Sequence, residues 1–428
     1  MSRPRLLRFP VPYRAALAIS NDTDDLRNPS GWWEFLRFLN TQQTTSLGPG
    51  LGMEVGDAFW FYSDHFDEQP GAYFKGLTNE PSPFAPLIGA LGRAGYLDTL
   101  HTYGNFSRHG GFRREHAQVA AKTLQHEGFA PRVWVNHGGA HDFQNLGSGC
   151  GDVTENPEAR GAPAPEYHLD ITRQMGFRYA WVGDLTGTPG QSRALGVGDW
   201  LHPASPVRRE AAGHVARGLS RRLGYRHILE SLPNYGMLQN ALITPRRMRD
   251  GSVMQTFVRY GDFDRSTFAD LGWLLREYML DTLENTQGIS IVFVHWSRHP
   301  GEGFRDLPPQ GLEGLARLAR RVHDRRIWVT TTARLLAYWE ARSALEVRYS
   351  PEGENAVLHL MLRSLPDGRV LDAQDLAGIS FQVPDAARTR VLMNGITLPF
   401  ERSSEHANVL WMPWKPLAFP EPPPGLMS

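Results

Sequence analysis

Ala15-Ala-Leu-Ala-Ile-Ser-Asn-Asp22-Thr-Asp24 runs apolar and then turns abruptly acidic. In an extended chain the two-residue period puts Ala18, Ser20, Asp22 and Asp24 on one face and Leu17 and Ile19 on the other. Two carboxylates side by side at the end of a buried strand suit a parallel α/β sheet whose reactive groups gather at the strand C-termini. Comparable runs recur at residues 58–62, 96–101, 132–136, 178–183, 226–231, 254–259, 289–295 and 326–330, and helical periodicity fills 112–127, 266–285 and 312–321. Seven or eight strand–helix units predict an α/β fold, a distorted (β/α) barrel over residues 1–342.

The last of these units reads WVTTTARLLAYWEAR, with Thr331 or Thr332 placed to cap a helix that runs to about Arg342. Beyond it the texture changes. Short alternating runs at 345–349, 356–362, 379–383, 390–393 and 409–412 are separated by turn signals such as Pro351-Glu-Gly and Pro366-Asp-Gly. They predict a small C-terminal all-β domain over 343–418, followed by a Pro-rich tail over 419–428.

Composition narrows the class. With 41% hydrophobic and 11% aromatic residues in 428, the chain has ample material for a core. Its 45 basic and 45 acidic side chains cancel, which argues against a broad basic face for nucleic acid or an anionic membrane. The first twenty residues hold no apolar segment long enough for a signal peptide before Pro10 and Pro12, and no membrane-length apolar run occurs, so the expectation is a cytoplasmic protein. The single cysteine, Cys150, rules out an internal disulfide or a cysteine metal cage, so any metal is held by oxygen and nitrogen.

Several strand ends carry candidate chemistry. Asp22 and Asp24 make sense as a pair if a metal keeps one ionised while the other accepts a proton. His101 ends the 96–101 run with Asn105 four residues on, a spacing at which a helical turn aligns both side chains. His295 follows four consecutive apolar residues and is placed to act as a general acid. His137 ends another run, with Arg132 and Asn136 beside it, and Asp184 and Arg259 stand at further strand ends. Trp60, Tyr103, Trp134 and Trp296 lie at or near strand ends, where ring faces could bind a sugar.

The order and placement of these motifs resemble the polysaccharide deacetylase family, the NodB-like carbohydrate esterases. In that resemblance ALAISNDTD supplies Asp22 as catalytic base and Asp24 as metal ligand. His101-Thr102 matches the start of the second motif, in which a second histidine four residues later completes the metal site; Asn105 stands there in this chain. IVFVHW offers His295 as the catalytic acid. The family's arginine-proline-glycine motif is not visible. RVWVNHGG stands roughly in its place, leaving His137 or Arg132 to take over its role, or His137 to bind the metal. The resemblance covers roughly residues 12 to 342. It implies a zinc-dependent hydrolase, with cobalt, nickel or manganese as substitutes, that removes N- or O-acetyl groups from a carbohydrate. Two rivals stand beside it: a glycoside hydrolase using Asp22 with Asp184 or Asp262, and a catalytically impaired carbohydrate-binding relative.

Overall fold

Apolar runs covered on both faces become parallel strands, and here they form two sheets. In the first, Leu185–Thr186, Arg259–Tyr260, Ile289–Val294, Ala15–Asn21 and Ile327–Val329 lie side by side, all parallel. Ala16 faces Ile289 and Asn21 faces Val294, so the acidic end of the opening strand emerges level with the end that bears His295. In the second, Val253–Phe257, Tyr179–Trp181, Val133–Val135, Leu97–Leu100 and Asp57–Phe59 are parallel, and Ile243–Arg247 runs antiparallel at the edge. Only Val258 separates Val253–Phe257 from Arg259–Tyr260, so one stretch of chain passes from the second sheet to the first. The computed structural model describes residues 3–24, 26–63, 71–106, 111–138, 142–155, 164–195, 240–298 and 306–426, with Asp199, Leu201, Ala212 and Phe304 besides. The strand expected at 226–231 lies outside the described residues.

Alternation along the strands separates two apolar faces. Ala15, Leu17 and Ile19 pack with Leu97, Trp134, Val292 and the helices. Ala16 and Ala18 pack instead with Ile289, Ile291 and Phe293 of their own sheet and Val133, Val135, Tyr179 and Phe257 of the other. Helix Pro29–Asn40, which the apolar-run reading passed over, starts on Asn28, whose side chain accepts from Gly31 N at 3.0 Å, with Pro29 at the first helical position. It buries Trp32, Trp33, Phe35, Leu36, Phe38 and Leu39 on one side. Further helices span Ala85–Arg93, Arg114–Glu127, Leu169–Gln174, Glu277–Asn285, Pro309–His323 and Thr332–Ala344. No helix among the described residues is long and apolar enough to cross a membrane.

The C-terminal region is β-rich, with two points to correct. The hairpin Leu345–Glu352 and Asn355–Leu362 begins directly after Ala344, where the alternation starts, and is joined by the parallel strand Thr389–Met393. The other sheet, Ser380–Gln382, Val409–Trp411 and Glu401–Arg402, takes its fourth strand, Arg5–Leu6, from the other end of the chain. A two-residue strand has no periodicity of its own, so only tertiary pairing reveals it. Nor is the Pro-rich end a free tail. Phe419 packs on Trp33 at 4.8 Å between ring centroids and on Tyr96 at 5.3 Å, and Leu426 also touches the core. Leu417 N donates to Glu54 at 2.8 Å and Arg334 donates to the Lys415 carbonyl at 2.6 Å. Proline prevents a ladder but leaves an extended segment able to dock through its apolar side chains.

Candidate metal centre

The C-terminal ends of the parallel strands converge. Asp22 and Asp24 follow Ala15–Asn21, His101 follows Leu97–Leu100, His137 stands two residues beyond Val133–Val135, and His295 directly follows Ile289–Val294. His101 Nε2 lies 3.0 Å from Asp24 Oδ1, and His137 Nε2 lies 3.8 Å from the same oxygen. Asp24, His101 and His137 form the group, among the described residues, whose donor atoms are close enough to hold one metal ion. The fit is good on two grounds. Separations of 3.0 and 3.8 Å are those of donors sharing an ion through bonds of about 2 Å. The buried Nδ1 atoms of His101 and His137 lack a hydrogen-bond partner, and that of His137 lies 3.6 Å from Asp142, the carboxylate–imidazole arrangement that orients metal-binding histidines. Three protein donors also leave room for water or substrate.

Around this group sit the proton-handling candidates. Arg259, fully buried, donates to Asp22 through Nη1 at 2.7 Å and Nη2 at 3.1 Å, a two-pronged grip. The guanidinium lies 3.5 Å from the Trp181 ring centre and 4.2 Å from that of Phe293, which fixes its plane. Burial alone would raise the Asp22 carboxyl, but the charge and hydrogen bonds of Arg259, with His101 beside it, hold it below the usual carboxylate range. Asp24 is held well below that range: hydrogen bonds from His101 and His295 outweigh its burial. Arg298 also reaches Asp24 Oδ2. His295 turns Nδ1 toward the Ser266 carbonyl at 3.2 Å and directs Nε2 to Asp24 Oδ2 at 3.3 Å. Burial would lower His137, yet the neighbouring carboxylates of Asp142 and Asp24 raise it.

Other expectations land elsewhere. The helical turn meant to align Asn105 with His101 does not form. Thr102 adopts φ 55, a left-handed conformation unusual for a β-branched residue, and the chain enters the short strand Gly104–Asn105, paired with Tyr62–Ser63. Gly104 is required there, because a Cβ would stand 2.3 Å from the Tyr62 carbonyl oxygen. Arg132 precedes Val133–Val135 and so lies at the opposite end of that strand from the centre, near Arg178 and Asp375. The arginine beside Asp22 is Arg259. Asn136 serves the scaffold, accepting from Trp134 Nε1 at 2.8 Å and Leu146 N at 3.0 Å and donating to the Leu146 carbonyl at 2.8 Å. The Asp184 carbonyl accepts from Arg259 N and Trp181 Nε1. Asp262 sits in a turn that accepts from Asp264 N.

The aromatic expectation needs correction. Trp60, Tyr103, Trp134 and Trp296 are all buried, at 0 to 1% exposure, and offer no open face to a sugar. Trp60 stacks on His101 and meets His137 edge-on, so it backs the centre. Tyr103 packs between Phe112 and Trp134, and Trp296 packs on Phe35. Phe143 and Phe263 are the exposed phenylalanine, tyrosine or tryptophan side chains among the described residues. Phe143 follows Asp142, and Phe263 leans on Trp181 and Phe293.

Two residues of the polar loop after His137 brace the centre. Gln144 accepts from Tyr103 N at 3.0 Å and donates to the Gly104 carbonyl at 2.6 Å, fixing the chain just past His101. Asn145 accepts from His137 N at 3.0 Å and donates to the His137 carbonyl at 2.8 Å. In the sequence their only signal is the run of polar residues in Asp142-Phe-Gln-Asn145. Comparison with family models, curated proteins and solved structures finds no match to this chain.

Proposed function

We propose that the chain is a metal-dependent hydrolase that removes acetyl groups, N- or O-linked, from a carbohydrate, on a distorted (β/α) barrel like that of the polysaccharide deacetylases. The observation that carries this reading is the convergence of Asp24, His101 and His137 beside the Asp22–Arg259 pair and His295 at one set of strand ends. Two features support the barrel. Residues from both sheets share one apolar cluster, and residues 253–260 pass from one sheet to the other.

Zinc suits one carboxylate and two imidazoles, as do cobalt, nickel and manganese, and when bound it would acidify water and polarise an acyl carbonyl. Asp24, His101 and His137 would hold it. Asp22, kept ionised by Arg259, takes the proton from the attacking water. Arg259 remains charged throughout and keeps the carboxylate aimed. His295, its ring held by Ser266 through contacts from Nδ1 to the carbonyl at 3.2 Å and the hydroxyl at 3.1 Å, turns Nε2 toward the centre and is the proton donor for the departing amine or alkoxide. Phe143 and Phe263, exposed beside the centre, are the ring faces for a sugar.

The test is acetate release from acetylated chito-oligosaccharides, and from O-acetylated glycans, by protein loaded with zinc or cobalt. Asp22→Asn should abolish release while metal remains bound. Unchanged activity in that variant refutes Asp22 as base. A protein that takes up no stoichiometric zinc refutes the metal-dependent reading altogether.

A further inference from the structure

A second opening lies at the opposite ends of the strands from the metal centre, where the parallel sheets meet the C-terminal sheet. It is a cavity of about 410 Å³ lined by Arg5, Arg8, Arg342, His406, Gln287 and Gln382, among others. Every charged or ionisable group of these six is basic. The cavity is built from five separate parts of the chain: strand Arg5–Leu6 and the segment after it, the turn before Ile289–Val294, helix Thr332–Ala344, strand Ser380–Gln382, and strand Val409–Trp411 with the loop before it.

Its two central arginines are held rigidly. Arg8 donates through Nε to the Gln287 carbonyl and through Nη2 to that of Ser192, and its guanidinium carbon lies 4.8 Å from the Trp339 ring centre. Arg342 donates through Nε to the Leu7 carbonyl at 3.0 Å and lies 5.3 Å from the same ring. Tyr338 donates to the Arg8 carbonyl at 3.1 Å, tying the segment to the helix. Nη1 of Arg8 and both Nη atoms of Arg342 therefore remain for another acceptor. Neither arginine forms an ion pair with a described carboxylate. The charged neighbours that act on Arg8 are Arg342 and Arg193, both cationic, and Arg193 is itself paired with Asp199 at 2.6 Å. Burial and the facing Arg342 push Arg8 down to about 10, and burial also lowers Arg342.

Two half-buried guanidiniums fixed beside one another without a counter-charge are electrostatically unfavourable, and a planar acceptor bridging both relieves the repulsion. We propose that this cavity binds a small molecule bearing an oxyanion, a phosphate or a carboxylate, gripped by Arg8 and Arg342. The volume exceeds that of the anion alone and lies within the range of small-ligand pockets, so the body of the molecule lies against Gln287, Gln382 and His406. This site is independent of the metal centre, and neither reading requires the other.

The experiment titrates the full-length protein with inorganic phosphate, a hexose phosphate and a uronic acid by isothermal calorimetry, at constant ionic strength balanced with chloride. Saturable binding of at least one is expected, and Arg342→Gln should weaken it about tenfold or more, the loss of a charge-assisted contact. Arg348→Gln, at an exposed position elsewhere on the surface, should leave it unchanged. A hexose phosphate that outcompetes inorganic phosphate assigns the rest of the cavity to the sugar; preference for the uronic acid assigns a carboxylate. If Arg342→Gln does not fold, Arg5→Gln on the exposed rim replaces it, with weaker binding expected. No saturable heat with any of the three anions, or equal affinity in wild type and the arginine variant, overturns the proposal.

Discussion

Gln144→Ala is a direct test of the centre's construction. The side chain is wholly buried, so its removal leaves a void as well as unmade hydrogen bonds. Tyr103 N loses its acceptor outright. The Gly104 carbonyl loses its shortest partner but keeps the Thr102 hydroxyl at 3.2 Å. Asp142 Oδ2 loses a donor at 3.2 Å as well, so one orphaned buried donor and two weakened acceptors, with the cavity, should cost about 2–5 kcal/mol of folding stability. The functional effect is separable. Because Gln144 fixes the backbone just beyond His101, its loss should let that imidazole wander and weaken zinc about 10–100-fold, the usual range for groups that orient metal ligands. Asn145→Ala should act likewise through His137. The assays are urea denaturation of the metal-free protein and competition for zinc with a chromogenic chelator. A variant that loses stability yet binds zinc as tightly as wild type would show that the loop supports the core and not the centre, which refutes the reasoning.

Other consequences are equally concrete. Arg259→Met leaves the Asp22 carboxylate buried without its partner and should cost about 3–5 kcal/mol; adding Asp22→Asn should restore most of that, as a double-mutant cycle in urea would show. Burial depresses His168 to about 4 from 6.5, so the unfolded chain binds the extra proton first as pH falls. Its contribution, about 3 kcal/mol, is intact above pH 6.5 and lost on acidification to 4, and His168→Gln should flatten that part of the stability–pH curve. Phe419→Ala should cost about 1–3 kcal/mol by uncovering Trp33 and Tyr96, and an unchanged melting temperature would mean that the C-terminal segment is a free tail after all.

The candidate residues readable in the sequence share one property: each stands at or within three residues of the end of a buried strand. Asp22, Asp24, His101, His137 and His295 are conspicuous because a polar side chain directly after a buried strand has few reasons to be there, and parallel strands in register bring such ends together. The same reasoning failed where position depends on backbone conformation. Asn105 is a ligand candidate only if residues 101–105 form a helical turn, and the left-handed Thr102 sends the chain into a strand instead. Arg259 is the reverse case. It too stands within three residues of a strand end, but its value lies in Trp181 and Phe293, distant in sequence, which give a buried guanidinium a place to lie. The aromatic residues misled for a related reason. Burial, not strand-end position, decides whether a ring can meet a ligand, and Phe143 and Phe263 owe their exposure to loops with no periodicity to read. A histidine or carboxylate is thus legible when its strand dictates its place. One whose role is set by a turn, a stacked ring or a bracing loop becomes visible only once the chain is folded.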